Sequence, residues 1–174
     1  MNAGELEAKK LLERMAIKNP PVPVEKIAES LGARIVFKPA SDGEEDVSGM
    51  LYRSKERVVI GVNSAHHLHR QRFTIAHEIG HLVLHQGEMY IDTPSVKFRD
   101  SKSGLAIDNE EIEANGFAAE LLMPREFLEK SLENLYKRNT RETNQVVENL
   151  SVEYKVSPQM VEYRLRNLGV FLPE

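Results

Sequence analysis

The chain has 174 residues, 41% hydrophobic and 29% charged, which suits one soluble globular domain with a sizeable core and room for a small appendage. Its 27 acidic side chains outnumber 23 basic ones, and the net charge of −4 argues against a general nucleic-acid binder. There is no cysteine, which excludes disulfides and thiolate metal sites, so a metal here must be held by His, Asp or Glu.

Residues 5–17 read as an amphipathic helix with Leu6, Leu11, Leu12 and Met15 on one side. Pro20, Pro21 and Pro23 then impose an extended segment. A short helix follows, with Val24, Ile27, Ala28 and Leu31 inward and Gly32 as its stop. Arg34 to Phe37 is a strand, and the acidic stretch Ser41 to Asp46 is a loop. Val47 to Tyr52 and Val58 to Val62 form a hairpin around Ser54-Lys55-Glu56-Arg57. Asn63 or Ser64 suits the N-cap of the next helix, whose solvated start carries His66, His67 and His69. Gln86 to Asp108, with Pro94, Gly104 and several Ser and Asp, reads as a long loop. Residues 109–123 form a helix ended by Pro124, and 125–137 form another.

The tail, 144–168, is a helix, a break and a helix. Val146, Val147, Leu150 and Tyr154 make the first stripe, and Val161, Leu165 and Leu168 the second. Ser157 fits the N-cap between them, with Pro158 at the first helical position. The spacing is that of a helix-turn-helix. Residues 131–174 hold six Lys or Arg and six Asp or Glu. A DNA reader is usually basic, so DNA binding through 144–168 is not the favoured reading. The mixed-charge start, Met1 to Lys10, is not a signal peptide, and no apolar run approaches membrane-spanning length. A cytoplasmic protein without membrane contact is expected.

The stretch Phe73 to His85 contains His-Glu-x-x-His within an apolar run of helical period. His77 and His81 sit one turn apart on one face and can reach one zinc ion. Glu78 is turned about 100° from His77, beside the metal and not on it, where a general base must stand. Gly80 is a poor helix residue, which suggests that another backbone packs close beside the histidines. His85 lies about 12 Å along the axis from His77, too far to share one metal with both, so it is a packing or outer-shell residue. A catalytic zinc takes three protein ligands. Glu111 and Asn115 share a helix face, which makes Glu111 the preferred third ligand and Asn115 its outer-shell partner to a histidine. Glu113 is the runner-up. An oxyanion donor is also needed, with Tyr90, His85 and His69 as candidates. The strand from Val47, if it lies at a sheet edge, can pair with a substrate backbone.

These residues resemble the ImmA/IrrE-type metallopeptidases. The likeness runs from Pro23-Val24-x-x-Ile27-Ala28-Glu29-x-Leu31-Gly32, through Arg70 to His81, to Glu111-x-Glu113-Ala114-Asn115-x-Phe117-Ala118-Ala119-Glu120-Leu121-Leu122-Met123-Pro124. It implies an α+β, thermolysin-like minimal zincin (gluzincin) core with a small antiparallel sheet over residues 1–130, followed by a helix-turn-helix-like helical appendage over 131–174. It also implies His-His-Glu zinc ligation, with manganese an alternative in activity. The implied substrate is a helix-turn-helix repressor of a mobile element or stress regulon. Two rival readings stand beside it: a DNA-binding regulator with a vestigial zincin core, and a binding module with a structural zinc.

Overall fold

The computed structural model describes residues 2–41, 47–92, 101–140 and 142–170, the side chains of 101–108 excepted. In chain order its elements are α1 (Ala3–Arg14), α2 (Val24–Ser30), β1 (Ala33–Lys38), β2 (Gly49–Arg53), β3 (Val58–Asn63), α3 (Leu68–Leu84), β4 (Met89–Asp92), α4 (Ser101–Leu122), α5 (Arg125–Lys137), α6 (Thr143–Tyr154) and α7 (Pro158–Asn167). The fold is α+β. Most of the loop expected over 41–46, and residues 93–100, lie outside the described residues.

Local chemistry explains most boundaries. The Asn2 side chain accepts from Glu5 N and the Glu5 carboxylate accepts from Asn2 N, both at 2.9 Å, a reciprocal cap that starts α1. Ser157 Oγ accepts from Met160 N at 3.2 Å and Pro158 follows it, as expected for α7. The cap of α3 differs from expectation. It is His67, whose Nδ1 accepts from His69 N. Asn63 is held elsewhere, its amide donating to Val47 O and its oxygen accepting from Ala65 N. The expected loop over 86–108 is also corrected. It contains β4, and α4 begins at Ser101. Gly104 and the small polar residues cost helix propensity only of order 1 kcal/mol each, which a long helix propagating toward a buried end can absorb.

The sheet has the order β1-β3-β2-β4. The β2–β3 hairpin closes where Ser54 N donates to Arg57 O and Ser54 Oγ accepts from Arg57 N. Folding back, β3 fills the place between β2 and β1. It therefore runs parallel to β1, while β2 is antiparallel to both β3 and β4. The sheet is thus mixed and not antiparallel throughout. The position of β2 also corrects an expectation: it is an interior strand with both edges hydrogen-bonded, so it cannot receive a substrate strand. Among the described residues the outer edge beside α3 belongs to β4.

α3 lies between the sheet and α4. Leu51, Ile60 and Val62 of the sheet, Ile75 and Ile79 of α3, and Phe117, Ala118 and Leu121 of α4 share one buried cluster. A Cβ at Gly80 would sit 3.1 Å from Ala114 Cα and 3.2 Å from Ala114 O, so α3 and α4 meet backbone to backbone there. The tail joins the same cluster through Val146, Leu150, Tyr154, Val161 and Leu165. Arg164 of α7 is 1% exposed. It donates to Met123 O at 3.2 Å, pairs with Glu5 at 2.7 Å and pairs with Glu120. A buried guanidinium is tolerable when its donors and charge are matched in this way. No helix among the described residues is long and apolar enough to cross a membrane.

Removing Arg164 leaves Glu120, 3% exposed, without its cation and with the backbone N–H of Arg125 as its remaining hydrogen bond among the described residues. Arg164→Ala is expected to lower the unfolding free energy by about 3–5 kcal/mol in urea titration. Glu162→Ala, on the exposed face of the same helix, is expected to stay within about 0.5 kcal/mol of the parent. Equal stability of Arg164→Ala and the parent would mean the ion cluster does not anchor the tail.

Candidate metal centre

Thr74 to His81, the middle of α3, is buried without a break. Burial comes from both sides, with the sheet covering one face and α4 the other. Within this run the His77 and His81 rings stand 4.7 Å apart at 74°, and their Nε2 atoms are 3.1 Å apart. The Gly80–Ala114 contact lets α4 approach so closely that Glu111 reaches both rings. Its Oε2 is 3.3 Å from His77 Nε2 and its Oε1 3.2 Å from His81 Nε2. His77, His81 and Glu111 form a group able to hold a metal ion, with donor atoms within 4.8 Å of one another. In a tetrahedral zinc site with bonds near 2.1 Å, neighbouring donors are about 3.4 Å apart. The observed edges of 3.1, 3.2 and 3.3 Å make nearly such a face.

The protonation states suit a cation too. Burial holds His81 below its ordinary value, which favours the neutral imidazole a metal requires. Burial pushes the Glu111 carboxyl up, but hydrogen bonds from His77 and His81 outweigh it and bring it to about 2. The donor set is therefore nitrogen-rich with one anion, the composition of catalytic zinc sites. Glu113, the runner-up, is turned away toward His85.

Glu78 is 0% exposed, and neither carboxylate oxygen has a partner among the described residues. Burial raises it well above the usual carboxylate range, and the negative charges of Asp92 and Glu111 raise it further. The N-terminal end of β2 lies directly over it. A Cβ on Gly49 would come within 2.2 Å of Thr74 Cγ2 and 3.3 Å of Glu78 Oε1. An orphaned buried carboxylate is costly unless a proton or a cation answers it, and among the described residues the donor cluster next to it is the His-His-Glu group.

The outer shell departs from expectation. Asn115 is exposed and bonds to neither histidine, and His77 Nδ1 is buried without a partner among the described residues. The second nitrogen of His81 is instead held by His85. The two Nδ1 atoms are 3.0 Å apart, and His85 Nε2 is 3.2 Å from Glu113 Oε2. One assignment of protons satisfies the row. His81 donates from Nδ1, His85 accepts there and donates from Nε2, and Glu113 accepts. In this assignment a cation at the group takes the lone pair of His81 Nε2, in place of the hydrogen bond that Nε2 gives Glu111 without one.

This engagement of both His85 nitrogens removes it as an oxyanion donor. His69 is removed by distance, since it precedes His77 by eight residues, about 12 Å of helix. Tyr90 remains. Its ring stacks on His81 at 4.2 Å and 22°, and its oxygen accepts from Gly87 N at 2.9 Å. Burial raises the phenol above its ordinary value, so it keeps its proton. Sequence reasoning missed Arg53 of β2, which donates to the carbonyls of His81, Leu82 and His85 at 3.3, 3.1 and 2.9 Å. It closes the C-terminal end of α3 with a cation. Its partners lie some thirty residues on, so no local pattern announces the role.

Among solved structures the chain is similar to a Mycobacterium tuberculosis transcriptional regulator, with a TM-score of 0.58 and 17% identity over 95% of this chain and 56% of that one. The likeness shows the fold, and the chain spans little more than half the length of that regulator. No curated protein matches. Residues 28–166 match the peptidase family described as IrrE N-terminal-like domain. The matched stretch contains all four strands and the whole His-His-Glu group, and it covers well over half of the sequence, so the chain belongs to this peptidase family.

Proposed function

We propose that the protein is a zinc-dependent endopeptidase, with manganese able to substitute in activity, that cleaves a helix-turn-helix repressor in the cytoplasm. The observation that carries this reading is the near-tetrahedral face of His77, His81 and Glu111 with the orphaned Glu78 carboxylate buried beside it. Zinc held by these three would supply Lewis acidity, polarising the scissile carbonyl and acidifying a water. Glu78 takes the proton of that water and returns it to the leaving amine. Burial drives Glu78 toward its protonated form, so its work as a base needs the positive charge the neighbouring donors are built to hold. Tyr90 supplies the second donor to the developing oxyanion. The outer edge of β4 pairs with the extended substrate, in place of β2. Residues 1–130 carry the chemistry, and 131–174 pack on them and recognise protein, not DNA.

The overall test is to incubate the zinc-loaded chain with the repressor encoded beside it and to weigh the products. Cleavage at one position is expected, and an intact repressor with zinc bound overturns the substrate assignment. The ligand assignment has its own test, a competition titration of metal affinity. Glu111→Gln is expected to lose metal far more severely than Glu113→Gln, whose effect, transmitted through His85 and His81, should be about 10–100-fold. The reverse order moves the ligand to Glu113.

Glu78→Gln keeps the shape of the side chain but cannot accept a proton. The variant should bind metal and repressor like the parent and melt at a similar temperature. It should cut at a rate reduced toward or beyond the upper end of about 10²–10⁴-fold, because activation and leaving-group protonation both depend on this residue. Near-parental cleavage by metal-loaded Glu78→Gln would rule the mechanism out.

A further inference from the structure

A groove of about 760 Å³ lies between the start of α3, the face of α4 and the turn into α7. Leu122 and Val156, both buried, line it together with the half-buried Phe73 and Met160. Tyr163 of α7 stands on its rim, 52% exposed. The groove begins where the candidate centre ends. Phe73 is one turn before His77, its ring stacked on it at 6.3 Å and 28°. Asn115 is one turn after Glu111 and lines the same space with its amide making no hydrogen bond among the described residues. Both helices that carry the His-His-Glu group thus run on into the groove.

The groove also has a charge. Arg70 borders it, donates to Ser48 Oγ at 2.8 Å, and makes no ion pair among the described residues. The face of α7 that a DNA-reading helix would present is partly spent here, since Gln159, Met160 and Tyr163 turn toward α3. An apolar floor of this size suits side chains, not a phosphate backbone.

We propose that this groove seats the part of the substrate polypeptide flanking the scissile bond, with bulky apolar side chains on Leu122 and Met160 and an acidic side chain at Arg70. The proposal rests on the peptidase reading, and its occupant is the chain already held at the His-His-Glu group. α7 thereby becomes a wall of the specificity site.

The test uses two readouts on one pool of random-sequence peptides. Zinc-loaded, immobilised Glu78→Gln chain retains peptides, which are sequenced, and the zinc-loaded parent digests the same pool, with the cut positions read by mass spectrometry. Retained peptides should be enriched in Leu, Met and Phe with Asp or Glu a few residues away, and the same residues should fall at a fixed distance from the cut. Adding Met160→Lys or Tyr163→Ala should cut the apolar enrichment by about tenfold or more. Arg70→Glu should turn the acidic preference into a basic one. The three substitutions sit on different elements, so one that unfolds, seen as a fall in melting temperature, leaves the others to decide. Unchanged selectivity in the folded variants overturns the proposal while leaving cleavage intact. Selective retention without cleavage by the parent upholds the groove and overturns the peptidase reading. A dimer that Met160→Lys dissolves, or retention of duplex DNA that Arg70→Glu abolishes, assigns the groove to another occupant and overturns it.

Discussion

The site depends on one close approach, the contact of Gly80 with the backbone of Ala114. Any side chain at that point would need α4 to shift by a few tenths of an ångström, and Glu111 lies three residues from Ala114. A carboxylate that must meet two imidazoles near 3.2 Å has little tolerance for such a shift. The missing Cβ therefore sets the reach of the third donor. The cost of a glycine inside a buried helix, about 1 kcal/mol, is offset by the packing it allows on both sides.

The same packing produces the electrostatics. Sheet and α4 together exclude water from Glu78, His77 and His81, and exclusion acts on Glu78 and His81 in opposite senses. It raises the carboxyl of Glu78 and lowers the imidazole of His81. Both shifts disfavour charge, and one cation beside them suits both groups, since it favours the carboxylate of Glu78 and takes the lone pair of a neutral His81. Glu111 is the exception that makes this work. It is half-buried with both histidine Nε2 atoms within 3.3 Å and is held well below the usual carboxylate range, so it keeps the anionic charge a cation would need. Arg53 and the His85–Glu113 row complete the arrangement from outside by fixing the end of α3 and the orientation of His81.

Much of this was legible in the sequence because it is periodic or local. The helical spacing of His77 and His81, the proline and serine at the start of α7, and the glycine at 80 each carry their own meaning. The face shared by Glu111 and Asn115 picked the residue that reaches both histidines, although Asn115 itself does not take part. What stayed hidden is non-local. Strand order could not be read, so whether β2 lies at an edge stayed open, and β3 and β4 both pair with it. Competing caps could not be ranked, because Asn63 is drawn off by a carbonyl of the preceding loop. His85, expected as a packing or outer-shell residue, does meet His81, and that Asn115 meets neither histidine was hidden for the same kind of reason. An amide on an exposed turn of α4 lines the groove, while His85, one turn past His81 at the end of α3, already packs against it with the rings 5.0 Å apart.

The tail shows how a motif's spacing and its packing can separate. By spacing, α6 and α7 have the form of a DNA-reading pair, yet Arg164 turns inward and ties α7 to α1 and α4 by two carboxylates and a carbonyl. A recognition helix needs one face free to enter a groove of DNA and basic residues around it. Here one face is consumed by the core, a second borders the cavity beside the His-His-Glu group, and the charge of the segment is balanced. Because Arg164 reaches Glu120 on the helix that also carries Glu111, the position of α7 and the position of the third donor are set by the same element. A shift of the tail would therefore change the cavity wall and the end of α4 that carries Glu111 together, which couples the groove to the His-His-Glu group through packing alone.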